Sequence, residues 1–91
     1  MSGNSVTANS EYGIEVDSSS NNTVSGNNVT NDWVGIELGS SSNNTLSGND
    51  AANEVYGVQL DDSSSGNVLS GNNVADNDYG VLFGSSSDNT L

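Results

Sequence analysis

The stretch Asn21-Asn22-Thr23-Val24-Ser25-Gly26-Asn27-Asn28-Val29-Thr30-Asn31, followed by Gly35-Ile36-Glu37-Leu38, decides the fold of this 91-residue chain. Its landmarks recur in one order along the whole sequence. The triplet Ser-Gly-Asn places glycine at Gly3, Gly26, Gly48 and Gly71, at spacings of 23, 22 and 23. Glycine followed by Ile or Val falls at Gly13, Gly35, Gly57 and Gly80, at spacings of 22, 22 and 23. Runs of three serines begin at Ser18, Ser40, Ser63 and Ser85. Self-similarity at such a period is the mark of a solenoid or a propeller, in which each repeat buries its apolar face against the next.

Within each repeat the apolar residues keep strand spacing. Ile14/Val16, Ile36/Leu38, Val58/Leu60 and Val81/Phe83 alternate with one residue that points to the opposite face. Val24, Leu46, Leu69 and Leu91 mark a second strand, and Val6, Val29, Ala51 and Val74 a third. Turns rich in Gly, Ser and Asn separate them. A helical repeat is excluded by glycine recurring roughly every ten residues amid poor helix formers. A six-residue apolar period, the mark of a left-handed hexapeptide solenoid, is absent.

The expectation is an all-β, right-handed parallel β-helix (a β-solenoid) of four coils, 22–23 residues each, with three short strands per coil. Handedness here comes from the general preference for right-handed parallel crossovers. The chain reads as one uncapped module over residues 1–91, with coils at about 2–24, 25–46, 47–69 and 70–91. Two single-residue insertions, before Tyr12 and at Asp61-Asp62, fall in turn-like sequence where a solenoid tolerates them.

The Asn21–Asn31 motif and the Gly-Ile-Glu-Leu strand resemble the right-handed β-helix repeats of the NosD-like and carbohydrate-hydrolase-associated family. The resemblance covers all four coils. It implies the fold strongly and function weakly, because such repeats occur in surface proteins, copper-site maturation proteins and sugar-active enzymes.

Composition excludes several functions. The chain has twelve acidic residues and no Lys, Arg or His, for a net charge of −12. Without cations it cannot neutralise phosphates, so neither nucleic acid nor an anionic membrane surface is an expected partner. Every carboxylate meets only repulsion, which salt screens. With no His, no Cys and only Met1, copper delivery lacks ligands. The same gaps tell against a polygalacturonase-like or pectate-lyase-like site at Asp61-Asp62, which reads instead as a turn insertion.

Calcium, which takes oxygen ligands, is a better fit than copper, and only as a weakly bound ion. Its candidate ligands are Glu15 and Glu37, stacked in one outward column, with Asp17, Asp61 and Asp62 nearby. Two asparagine columns have no exception: Asn22, Asn44, Asn67 and Asn89, and Asn4, Asn27, Asn49 and Asn72. They read as structural ladders of stacked carboxamides, and the serine runs as hydroxyl ladders. Tyr12, Tyr56 and Tyr79 share a column that alternation places on the inner side, with Trp33 one place before its coil-two member. The three Asn-x-Thr sequons arise readily in so Asn-rich a repeat.

Removing Met1 leaves Ser2 able to follow Leu91 in repeat phase. The chain thus reads as a whole number of coils cut from a longer solenoid, or designed on its pattern. The expected role is a structural scaffold with no catalysis of its own, self-associating head to tail through its end coils. The alternative is a carbohydrate-binding or carbohydrate-active segment of a larger surface protein, extracellular or at the cell surface.

Overall fold

The computed structural model describes all 91 residues as eleven strands, with no helix. The first coil contains β1 (Ser5–Thr7), β2 (Tyr12–Asp17) and β3 (Thr23–Ser25). The second repeats these as β4 (Asn28–Thr30), β5 (Val34–Gly39) and β6 (Thr45–Ser47). The third has β7 (Asp50–Ala52), β8 (Tyr56–Asp61) and β9 (Val68–Ser70); the fourth has β10 (Asn73–Ala75) and β11 (Tyr79–Phe83). Like pairs with like in three parallel sheets, ordered β1-β4-β7-β10, β2-β5-β8-β11 and β3-β6-β9. A parallel bridge between Val68 and Thr90 carries the third sheet into the last coil. The fold is therefore a β-solenoid of four turns.

Register follows the repeat. Val6, Val29, Ala51 and Val74 stack in one column. Ile14, Ile36, Val58 and Val81 stack in another, and Val24, Leu46 and Leu69 in a third. These columns meet in the middle as one apolar core, in which Ile36, Leu38, Leu46 and Leu60 have no exposed surface. Burying such a side chain contributes about 2 kcal/mol.

The corners explain the polar composition. Each full coil turns through residues with φ between +48° and +66°, in matching columns. One column is Gly3, Gly26, Gly48 and Gly71, where the missing Cβ removes the strain of the left-handed region. Another is Asn21, Asn43, Gly66 and Asp88, and a third is Ala8, Asn31, Asn53 and Asp76. Ser18, Ser40 and Ser85 mark a fourth, where the third coil places Asp62 and Ser63. Asn and Asp accept this conformation better than other side chains. The insertion at Asp62 thus sits in the corner, as its sequence implied.

Gly13, Gly35 and Gly57 serve close packing. A Cβ on Gly13 would run into Val29 Cγ1, and one on Gly57 into Val74 Cγ1. These glycines therefore face the interior beside the apolar residue that follows them. Strict alternation slips by one at that point, which corrects the inner placement of the tyrosine column. Tyr12 and Tyr56 are half-buried and Tyr79 is exposed, while Val34 in the same column is buried.

Candidate functional site

Apart from Asp62 in the longer corner of the third coil, each corner residue in the left-handed conformation is followed by one whose side chain turns inward, and these form polar ladders. Asn49 shows the pattern. Its Oδ1 accepts from the backbone N–H and the Nδ2 of Asn27, both at 3.0 Å. Its Nδ2 donates to Val24 O and to Asn72 Oδ1, both at 2.9 Å. Asn4 donates to Asn27 Oδ1 in the same way. In the other column Asn22 N–H donates to Asn44 Oδ1, Asn44 N–H to Asn67 Oδ1, and Asn67 N–H to Asn89 Oδ1. Asn27, Asn44, Asn49 and Asn67 are all but inaccessible to solvent. At the serine corner only the middle hydroxyl turns in: Ser19 N–H donates to Ser41 Oγ and Ser41 N–H to Ser64 Oγ, each at 3.0 Å.

Buried amides so fully engaged are framework, and their removal tests that directly. Asn49→Ala strands the Asn27 N–H and the Val24 carbonyl in the interior, and should destabilise the fold by about 2–4 kcal/mol. Asn4→Ala, in the exposed first coil, should cost well under half of that. Urea denaturation followed by circular dichroism measures both, and equal small losses would contradict the ladder role.

The fourth corner differs. Its ladder runs Asn9, Asp32, Glu54 and Asn77, with two acids where the other columns carry amides or hydroxyls. Asn9 N–H donates to Asp32 Oδ1 at 2.6 Å, and Glu54 N–H to Asn77 Oδ1 at 2.8 Å. Asp32 and Glu54 are 6% and 5% exposed. Asp32 Oδ2 and both Glu54 carboxyl oxygens are buried with no hydrogen-bond partner. Burial, then the charges of Asp32 and Asp50, push the Glu54 carboxyl up to about 8. The Ala52 N–H offsets part of that rise, without reaching hydrogen-bond geometry with either oxygen. The periodicity of the sequence did not single out this column.

A second acidic group stands on the outer face of the long sheet. Glu15, Glu37, Gln59 and Leu82 stack in one column. Asp17, Gly39 and Asp61 stack in the next. Glu15 and Asp17 are exposed, Asp61 is half-buried, and Glu37, between two flanking coils, is only 8% exposed. Burial first, then the charges of Glu15, Asp17, Asp61 and Asp62, raise the Glu37 carboxyl to about 7. Asp61 is held in place: its Oδ2 accepts from Gln59 Nε2 at 3.2 Å and its Oδ1 from Asp62 N–H at 2.8 Å. The structure thus brings Glu15, Asp17, Glu37 and Asp61 to one face and leaves Asp62 in the adjoining corner. No three of these carboxylates are already closed around a common point.

Beside this face runs an aromatic row. Trp33 meets Tyr56 edge-on at 6.2 Å between ring centroids, and Tyr56 stacks on Tyr79 at 5.1 Å. Trp33 and Tyr79 are each more than half exposed. The Tyr12 hydroxyl is pushed up by burial and then by Glu37, Glu11, Glu15 and Asp61, which ties it to the same acidic surface.

Parallel coils, inward amide ladders and apolar columns define a β-solenoid repeat protein. The family described as periplasmic copper-binding protein (NosD) matches residues 1–91, and the chain belongs to that family. No curated protein and no solved structure matches it. The copper in that description does not fit the donors present here. Cuprous copper is held by thiolates and thioethers and cupric copper by imidazoles, and this chain offers one methionine, Met1, among hard oxygen donors. No helix is long and apolar enough to cross a membrane.

Proposed function

We propose that this chain is a structural β-solenoid scaffold, a repeat module that associates with copies of itself end to end and performs no catalysis of its own. The observation that supports it most is that like strands stack on like in parallel register, so that one coil face matches another. Ser2 bridges to Ser25, and Thr90 to Val68, so the parallel pairing extends into both outer coils. An open hollow of about 640 Å³ at the first coil is lined by Ile14, Val16 and Val24 together with the polar Glu15, Asp17 and Asn22. Another of about 270 Å³ at the last is lined by Leu69, Val74, Val81 and Leu91. A further coil laid on either end would cover apolar side chains and pair open strand edges.

A head-to-tail contact of this kind is heterologous and grows unless it closes into a ring. Repulsion between acidic coils opposes it, and salt screens that repulsion. Particle size by light scattering should therefore rise with sodium chloride and with protein concentration, and electron microscopy should show rods. Monomers of constant size at every salt and protein concentration would overturn this reading.

Carbohydrate binding is the second reading, favoured by the exposed Trp33–Tyr56–Tyr79 row beside carboxylates. Aromatic faces offer apolar area that stacks on sugar rings. Retention on an insoluble polysaccharide, abolished by Trp33→Ala, would favour it; equal retention of the two proteins would remove it. Both readings place the protein outside the cytoplasm, in keeping with the periplasmic description of its family.

A further inference from the structure

The ladder of the fourth corner is broken at one step. Asn9 N–H donates to Asp32 Oδ1 and Glu54 N–H to Asn77 Oδ1, but no hydrogen bond joins the Glu54 carboxyl to Asp32. Both asparagine ladders, by contrast, run unbroken through all four coils. Three oxygens at the break, Asp32 Oδ2 and both of Glu54, are buried and without a partner. The outer acids Glu15, Asp17, Glu37 and Asp61 have no such oxygen.

Register explains why no partner is at hand. In the fourth coil Asn77 Nδ2 donates to Ala51 O at 3.0 Å. That nitrogen lies 2.6 Å from where a Cβ on Gly57 would stand. Asp32 Oδ2 lies 2.7 Å from the equivalent point on Gly13, and Glu54 Oε2 lies 2.5 Å from that on Gly35. Each acid thus holds an oxygen where Asn77 holds an N–H donor. Val6 and Val29 stack in one column with Ala51, so the second and third coils lack the amide donor that the fourth provides. Carboxylates buried in this way are costly unless a proton or a cation supplies the missing positive charge. The chain has no Lys, Arg or His to supply it.

We propose that the break between Asp32 and Glu54 binds one hard divalent cation, calcium, which bridges the two side chains across the second and third coils. Coils stack at about 4.8 Å, and calcium–oxygen bonds of about 2.3–2.6 Å on either side of the ion span about that distance. A divalent ion neutralises both carboxylates, whereas sodium leaves one charge buried. Calcium also takes glutamate through both oxygens, and both of Glu54 are free. Magnesium gives up its water reluctantly, which suits a nearly closed corner less well. No third acidic side chain joins the pair, so backbone carbonyls and entering water must complete the shell. Affinity should therefore be low, with Kd on the order of 0.1–1 mM.

Isothermal titration calorimetry with calcium chloride tests the site, at dilute protein and in alkaline buffer, where protons compete least for the carboxylates. Thermal melting is followed in parallel against sodium chloride of matched ionic strength. The wild type should show saturable binding near one equivalent, and a melting temperature raised above the sodium control because the ion ties two coils together. Magnesium should give a smaller rise. Glu54→Gln and Asp32→Asn each remove a ligand charge while keeping the size of the side chain, and each should weaken binding at least tenfold. Asp17→Asn removes the same charge from the outer face and should leave binding intact. No calcium effect beyond the sodium control would overturn the proposal, as would undiminished binding by Glu54→Gln. Equal weakening by Asp17→Asn and Glu54→Gln would also overturn it, by showing that calcium only screens the acidic surface.

Discussion

Leu38→Asp is expected to leave the chain unfolded. Leu38 has no exposed surface and lies in β5, stacked between Val16 of the first coil and Leu60 of the third. Losing the leucine forfeits about 2 kcal/mol of apolar burial. The aspartate adds several kcal/mol more, because the core offers it no hydrogen-bond donor and no cation exists anywhere in the sequence. Domains of this size hold only about 5–15 kcal/mol in reserve, and a solenoid passes damage to both neighbouring coils. Far-ultraviolet circular dichroism should lose its β signature, with no cooperative melt. Leu82→Asp is the matched control: Leu82 is 37% exposed on the outer face, and its change should be tolerated. A folded Leu38→Asp protein with wild-type melting would mean that the Gly-x-Leu strand does not line the core.

Far more of the fold than of the acidic sites was legible in the sequence. Three anchors at constant spacing fixed the coil, and the two-residue alternation of Ile36 and Leu38 fixed which face turned in. The asparagine columns stood out because neither has an exception. Asp32 and Glu54 escaped notice because their column changes chemistry from coil to coil, from Asn9 through two acids to Asn77. Column identity cannot find such a ladder, but backbone conformation can. In each coil the fourth ladder residue directly follows a residue in the left-handed region: Ala8, Asn31, Asn53 or Asp76. In sequence these are mostly Asn or Asp, a weak signal in a chain with so many of both.

Tyr12 and its column were misplaced for a related reason. Alternation assumes an unbroken pleat, and Gly13, Gly35 and Gly57 break it by facing inward beside the next residue. Such a slip leaves no trace in the pattern of apolar residues, since glycine has no side chain to classify.

The buried pair Asp32 and Glu54 should make stability depend on pH in the unusual direction. Glu54 holds its proton up to about pH 8 in the fold, against 4.5 for a free glutamate. The folded state therefore binds more protons than the unfolded one between those values. Stability from this group is complete below pH 4.5 and is lost as pH rises through 8. After allowance for solvent screening, the loss across that window is about 2 kcal/mol, or about 10 °C in Tm for a chain of this length. The wild type should accordingly melt highest in mildly acidic buffer and lowest near pH 9. General repulsion among the twelve acids works in the same direction, so the diagnostic quantity is the difference from Glu54→Gln. A glutamine amide keeps a donor where the protonated acid has one, and cannot ionise. The variant should match the wild type at pH 4.5 and exceed its Tm by about 10 °C at pH 9. Asp32→Asn should recover part of the same gain, because it retains an acceptor for Asn9 N–H and removes the charge that most disfavours ionised Glu54. The two gains should not add, since each relieves the same repulsion. Parallel pH profiles for wild type and Glu54→Gln would show that Glu54 ionises freely in the fold, and that water reaches a corner the structure closes.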